Sequence, residues 1–186
     1  IRYTKGSLLL LTGLMIVFGL LRTEQSAWWN VLAWTARNSA TFAPVVAALF
    51  WPIVTRSAVI SSLLTGFCSG LVWYHLGGWH PTSFYLDIHP VWIGMSVHII
   101  TILVVTLVSS YGEWSIAIKE KSVKGTAALV ASIIFLLTTI ALFEQLHAVG
   151  LSGLFGFITI LSFFVTGIIY IKRREVDVVA TAQVIS

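Results

Sequence analysis

The sequence predicts an all-α integral membrane protein with six transmembrane helices. Apolar residues make up 58% of the chain and charged residues only 10%, and the mean hydropathy is +0.95. A soluble fold of this composition would have too little polar surface. Five of six apolar stretches reach the length of about 20 residues that a helix needs to cross a hydrocarbon core of about 30 Å.

The six segments follow one another with charges and turn formers between them, and no stretch predicts a strand. We expect one transmembrane domain over 1–186, with a cytoplasmic tail over 172–186. The first segment is short, and because the chain has no initiating Met we expect it to begin upstream of Ile1. The predicted helices are 6–21, 28–51, 57–76, 88–111, 125–146 and 151–171.

The positive-inside rule orients these helices. Nine Lys and Arg residues fall on one side: Arg2, Lys5, Arg56, Lys119, Lys121, Lys124, Lys172, Arg173 and Arg174. Only Arg22 falls on the other side, so we expect both termini to be cytoplasmic. We expect this multi-pass protein in the cell membrane, that is, the inner or plasma membrane. An aromatic belt marks the outer interface: Trp28, Trp29, Trp73, Tyr74, Trp79, Tyr85 and Trp92.

The second segment contains the most informative residue, Arg37, with Asn38 beside it. A charge within a bilayer costs at least about 2.5 kcal/mol unless it meets a partner or a water-filled cavity, so we expect Arg37 to face inward. Two interpretations stand: a residue of a substrate path or gate, or a snorkelling or structurally paired arginine. Pro44 removes one backbone hydrogen bond and predicts a kink, serving either a moving, pathway-lining helix or packing alone.

The histidines and the single cysteine are the remaining candidates for chemistry. Imidazoles can bind zinc or copper, but the spacing matches no metal motif, and interfacial or buried structural roles are the simpler interpretation. His98, in the fourth segment, can in principle ligate haem, although no second axial ligand is evident. Cys68 is expected to pack. The other four histidines lie near the outer ends of helices: His75, His80, His89 and His147.

No enzymatic motif is present: the chain lacks GxSxG, HExxH and a phosphate-binding loop, so we expect no enzyme and no cofactor held by this chain. Its basic residues are spread over connectors, which argues against nucleic-acid binding. Gly66 and Gly70 form a Gly-x-x-x-Gly motif in the third segment, and such small residues allow close helix packing. The same is expected of Gly150, Gly153 and Gly156.

Several local features occur between Trp28 and Ser110. They are, in order, Ala33-Trp34, the run FAPVVAALFW at 42–51, Thr55-Arg56, Ser61-Ser62 leading to Gly66, Leu71-Val72-Trp73, His89-Pro90 before Gly94, and Ser109-Ser110. Together they resemble the tenth core helix of the sodium:solute symporter family, its Leu-Phe-Trp exit into the cytoplasm and the helices after it. These sodium-coupled transporters have the LeuT-type inverted-repeat fold. The sequence departs from the family at Pro52-Ile53 and Ala58-Val59.

The resemblance implies that this chain is the C-terminal part of a symporter, with 6–21 as the ninth core helix. Sodium ligands in the family come from the first and eighth core helices, and substrate contacts come largely from the broken first and sixth. We therefore assign no sodium ligand to this chain. The implied partners are the lipid bilayer, the missing N-terminal helices and a small organic solute. Trp34, Arg37 and Asn38 would border the outer part of the pathway.

Two other classes remain open. A free-standing six-helix accessory or sensory protein would bind partners through helix packing and fold without further segments. A membrane oxidoreductase would use the histidines and show a haem absorption band or a stoichiometric metal.

Overall fold

The computed structural model describes residues 2–21, 26–80, 83–116 and 123–173, which are mostly helical. Within these ranges four helices, α3, α4, α5 and α7, are long and apolar enough to cross a membrane. The elements in chain order are α1 (Arg2–Leu21), α2 (Ser26–Phe50), α3 (Arg56–Leu76), a 3-10 turn (Tyr85–Asp87), α4 (Pro90–Ser109), β1 (Trp114–Ile116), α5 (Val123–Ala141), α6 (Phe143–Ala148), α7 (Ser152–Tyr170) and β2 (Ile171–Arg173).

The chain divides into two compact units, Ile1–Trp34 and Thr35–Ser186, with α2 beginning in the first and ending in the second. In the first unit, every α1 side chain that the structure describes is exposed, including Leu9 and Leu20. Such a surface of large apolar side chains is of the kind that lipid or another helix covers.

A helix occupies each of the six predicted segments, but the prediction for the fifth is wrong. The expected helix over 125–146 ends at Ala141 and is followed by the separate short helix α6. At 1.5 Å per residue the 19 residues of α5 already span about 28 Å, close to the thickness of a hydrocarbon core. A helix of this length can cross the core without the residues of α6, which include the polar Glu144, Gln145 and His147.

α3 packs against α4 and has small residues on its buried face. Gly66 and Gly70 both lie on the buried face of α3, as the Gly-x-x-x-Gly motif predicts. Between the two helices the Thr65 hydroxyl donates a hydrogen bond to the Thr101 hydroxyl over 3.0 Å. Cys68 is exposed instead of packed, so that expectation is wrong.

The pair α5 and α7 is joined in the same way. The Ser132 and Thr166 hydroxyls lie 3.1 Å apart, and so do those of Thr139 and Thr159. Hydroxyl pairs of this kind stabilise contacts between membrane helices by about 0.6 kcal/mol each. The helix pair is thus held by two polar contacts, which are seven residues apart on each helix.

The apolar core lies where α2, α4 and α7 meet. Trp51, at the end of α2, is 1% exposed and packs edge-on against Phe164 of α7. Its indole N–H donates to the carbonyl oxygen of Ile171 over 3.2 Å. Ile99 and Ile102 of α4 belong to the same cluster, and both are fully buried.

The prediction of no strand is wrong, because β1 and β2 pair in antiparallel register, Ser115 opposite Lys172. The strands follow the ends of α4 and α7, which lie at the same end of the second unit. Two strands of three residues are too short to leave a periodic pattern in the sequence. Of the predicted tail, Lys172 and Arg173 belong to β2, and the rest lies outside the described residues.

The second unit has two chemically different ends. At the basic end, Thr55 caps α3 and its hydroxyl lies 2.8 Å from that of Ser109. This end also holds the β-ladder and, among the residues whose burial the structure describes, the exposed cations Arg56, Lys124 and Lys172. The aromatic end holds the loop between α3 and α4 and the start of α7. The separation agrees with the charge and aromatic pattern of the sequence.

Candidate functional site

The helix α2 has one exposed face and one buried face, and each carries polar side chains. Arg37, Thr41 and Val45 recur every four residues and are all exposed. Thr35 and Ala47 lie on the other side and are buried. Arg37 therefore does not face inward within this chain, contrary to expectation: it lies on the face that the described residues leave uncovered.

The other predicted pathway residues are on the same helix. Asn38 is half-buried, and Trp34, the last residue of the first unit, is 53% exposed. Among the described residues, the guanidinium of Arg37 forms no ion pair, and its carbonyl oxygen accepts a hydrogen bond from the Thr41 hydroxyl over 2.9 Å. Pro44 is buried, and α2 continues as a helix through it to Phe50.

A buried hydroxyl contact near Arg37 was not predicted. Thr35 is 1% exposed and its side chain lies beside the hydroxyl of Tyr74, which is 2% exposed, on α3. A hydroxyl inside an apolar bundle is costly unless it meets another polar group. Among the α2 side chains whose burial the structure describes, Thr35 is thus a polar one that faces into the bundle, and only its place in the polar stretch of α2, two residues before Arg37, could have indicated it.

Tyr74 belongs to an aromatic cluster at the aromatic end, defined here as Trp73, Tyr74, Trp79, Phe84, Tyr85 and His89. The Trp73 indole N–H donates to the Ile88 carbonyl oxygen over 2.9 Å, which fixes the loop to α3. Trp79 has a positive φ of 57° and stacks on Tyr74. A bulky residue rarely adopts this backbone conformation, so the stacked rings hold a strained turn in place.

The histidines have separate environments. Within the described ranges, no three His, Cys, Asp or Glu residues lie together as metal ligands. His75 accepts a hydrogen bond from the Trp79 indole, and the His147 ring lies 3.3 Å from the Ser152 hydroxyl. His98 is fully buried in α4, and His80 is exposed.

His89 has a structural role at the start of α4. Its Nδ1 accepts a hydrogen bond from the Val91 backbone N–H, capping the helix, and Pro90 occupies the first helical position. Burial disfavours the charged imidazolium and lowers the pKa of His89. The ring is therefore held in its neutral form, with Nδ1 as the acceptor.

The second unit contains packed apolar helices, four of which are long and apolar enough to cross a membrane, and an exposed arginine lies midway along α2. No family model, curated protein or solved structure matches the chain.

Proposed function

We propose that this chain is the C-terminal part of a sodium-coupled secondary transporter that imports a small organic solute by alternating access. The observation that carries the proposal is the exposed position of Arg37 on α2. The helix has 25 residues, about 37 Å, and Arg37 lies about 16 Å from its start. In a membrane-spanning α2 this charge would lie near the middle of the hydrocarbon core.

An arginine at that depth costs about 2.5–3.5 kcal/mol against lipid. Within the described residues its guanidinium has no anionic partner, which supports further helices or a water-filled cavity at the face of α2 that carries Arg37 and Thr41. The resemblance to sodium:solute symporters supplies both: the earlier core helices would pack against this face, and the outer solute pathway would run between them. Asn38 and Trp34 would border the same pathway.

The six-span topology is part of the proposal. The 20 residues of α1 and the 25 of α2 are long enough to cross a bilayer, in addition to the four apolar helices α3, α4, α5 and α7. With the basic end in the cytoplasm, the positive-inside rule is satisfied and both termini are cytoplasmic. The aromatic cluster then lies at the outer interface of the cell membrane.

The test is sodium-driven uptake by the intact transporter in proteoliposomes, with a panel of labelled amino acids, sugars and monocarboxylates. We expect one solute class to accumulate with an inward sodium gradient and not with potassium. Arg37→Ala should lower that uptake at least tenfold and Arg37→Lys less, because lysine keeps the charge. Arg56→Ala is the matched control, since Arg56 is an exposed cation outside the proposed pathway.

Absence of sodium-dependent uptake for every class would overturn the proposal and favour the accessory-protein alternative. Sodium-driven uptake with wild-type rates in both Arg37 variants, at equal protein levels, would retain the transporter and remove Arg37 from its pathway.

A further inference from the structure

A groove opens to the surface between α5 and α7 and encloses about 270 Å³. Small side chains on α5, Ala128 and Ala131, create the hollow. The Ser162 hydroxyl donates to the Thr159 carbonyl of its own helix over 2.8 Å, so its polar group is satisfied and the wall stays apolar. The remaining lining residues are Ile158, Leu161 and Val165.

Lys124 lies on the same face of α5 as the two alanines that line the groove. Lys124, Ala128 and Ala131 are spaced by four and three residues, which places them on one face of α5. Lys124 is exposed at the basic end, next to Gly125, whose lack of a side chain admits the Tyr170 ring. Lys172 follows Tyr170 by two residues and is also exposed. Lys124 and Lys172 thus lie one and two residues along the chain from the Gly125–Tyr170 contact at this end of the helix pair.

We propose that this groove binds an acyl chain of an anionic phospholipid whose phosphate lies against Lys124 and Lys172. Both helices are long and apolar enough to cross a membrane, so the groove would face hydrocarbon while the lysines reach the headgroup level. Basic pockets between helices on the cytoplasmic side are typical sites for acidic headgroups. The lysines favour a phosphate-bearing occupant over an uncharged lipid or an apolar helix. The site is independent of solute transport.

The experiment is native mass spectrometry of the intact protein with equal amounts of palmitoyl-oleoyl phosphatidylglycerol and phosphatidylcholine. We expect preferential retention of phosphatidylglycerol. Lys124→Ala should lower that preference about fivefold, the contribution of one basic residue near an anionic headgroup. Arg56→Ala removes an exposed cation from the same end but away from the groove, and should leave the preference unchanged.

A second variant tests the apolar part of the site. Ala131→Phe fills the groove and keeps both lysines, so retention of phosphatidylglycerol should fall as well. Thermal unfolding of each variant shows whether it is folded. The proposal is overturned if wild-type protein retains the two lipids equally, if Lys124→Ala and Arg56→Ala have the same effect, or if folded Ala131→Phe retains phosphatidylglycerol at the wild-type level.

Discussion

Substitution of Gly153 by alanine should destabilise the protein, because Gly153 lies where α7 meets the start of α4. A methyl group there would lie 2.7 Å from Ile88 Cγ2 and 3.0 Å from Trp92 Cδ1. Carbon atoms pack best at about 3.5–4.0 Å, so α7 would have to move away from both side chains. Overpacking of this kind costs about 1–3 kcal/mol.

The matched control is Gly156→Ala, one turn along the same helix, where a methyl group would meet no atom within 4 Å. Both variants gain the higher helix propensity of alanine, so this gain largely cancels in the difference between them. We expect the Tm of Gly153→Ala to lie about 2–12 °C below that of Gly156→Ala, measured by thermal unfolding in detergent. Equal Tm values, or the reverse order, would refute the packing of α7 against Ile88 and Trp92.

Two further predictions follow from the aromatic and basic ends. Burial lowers the pKa of His89 from its usual value of about 6.5, so the unfolded chain binds this proton more tightly than the folded chain does. The contribution of His89 to stability is therefore fully present above a pH of about 6.5 and is lost as the pH falls toward the lowered pKa. His89→Asn keeps a capping side chain that does not titrate, and its Tm should depend less on pH over this range than that of wild type; identical profiles would remove His89 as the cause. With Cys68 replaced by serine, an impermeant maleimide should label Ser83→Cys in intact cells but Ser57→Cys only after permeabilisation, and the opposite pattern would invert the proposed orientation.

Much of the fold was predictable because apolar length and connector charge are local properties of the sequence. The third helix, expected over 57–76, is found at Arg56–Leu76, and the buried Gly66 and Gly70 lie where the small-residue motif predicts. The end of the fifth helix was not predicted because the hydrophobic pattern continues through Leu142 and Phe143, while the backbone leaves helical geometry at Leu142, with φ of −108° and ψ of 19°. The strand pair was not predicted because the two segments that pair, Trp114–Ile116 and Ile171–Arg173, are distant in sequence.

The candidate site was also only partly predictable from the sequence. Composition identified Arg37 as an unusual charge in an apolar segment, but helical position alone does not tell which side of α2 the rest of the bundle covers. Only packing showed that Thr35 is buried beside Tyr74 while Arg37 is exposed. The structure therefore places Arg37 on a face of α2 that the described residues leave uncovered.

By itself, the sequence determined that the chain consists of apolar helices, roughly where each begins and ends, and that charge and aromatic residues collect at opposite ends. These properties depend on neighbours a few residues apart, through helix periodicity and the cost of an unpaired backbone group in hydrocarbon. The tertiary structure alone decided which glycines permit close contacts, which hydroxyls pair between helices and which face of α2 is left uncovered. Those features require residues from distant segments to come within a few ångströms, and that proximity arises only when the helices pack.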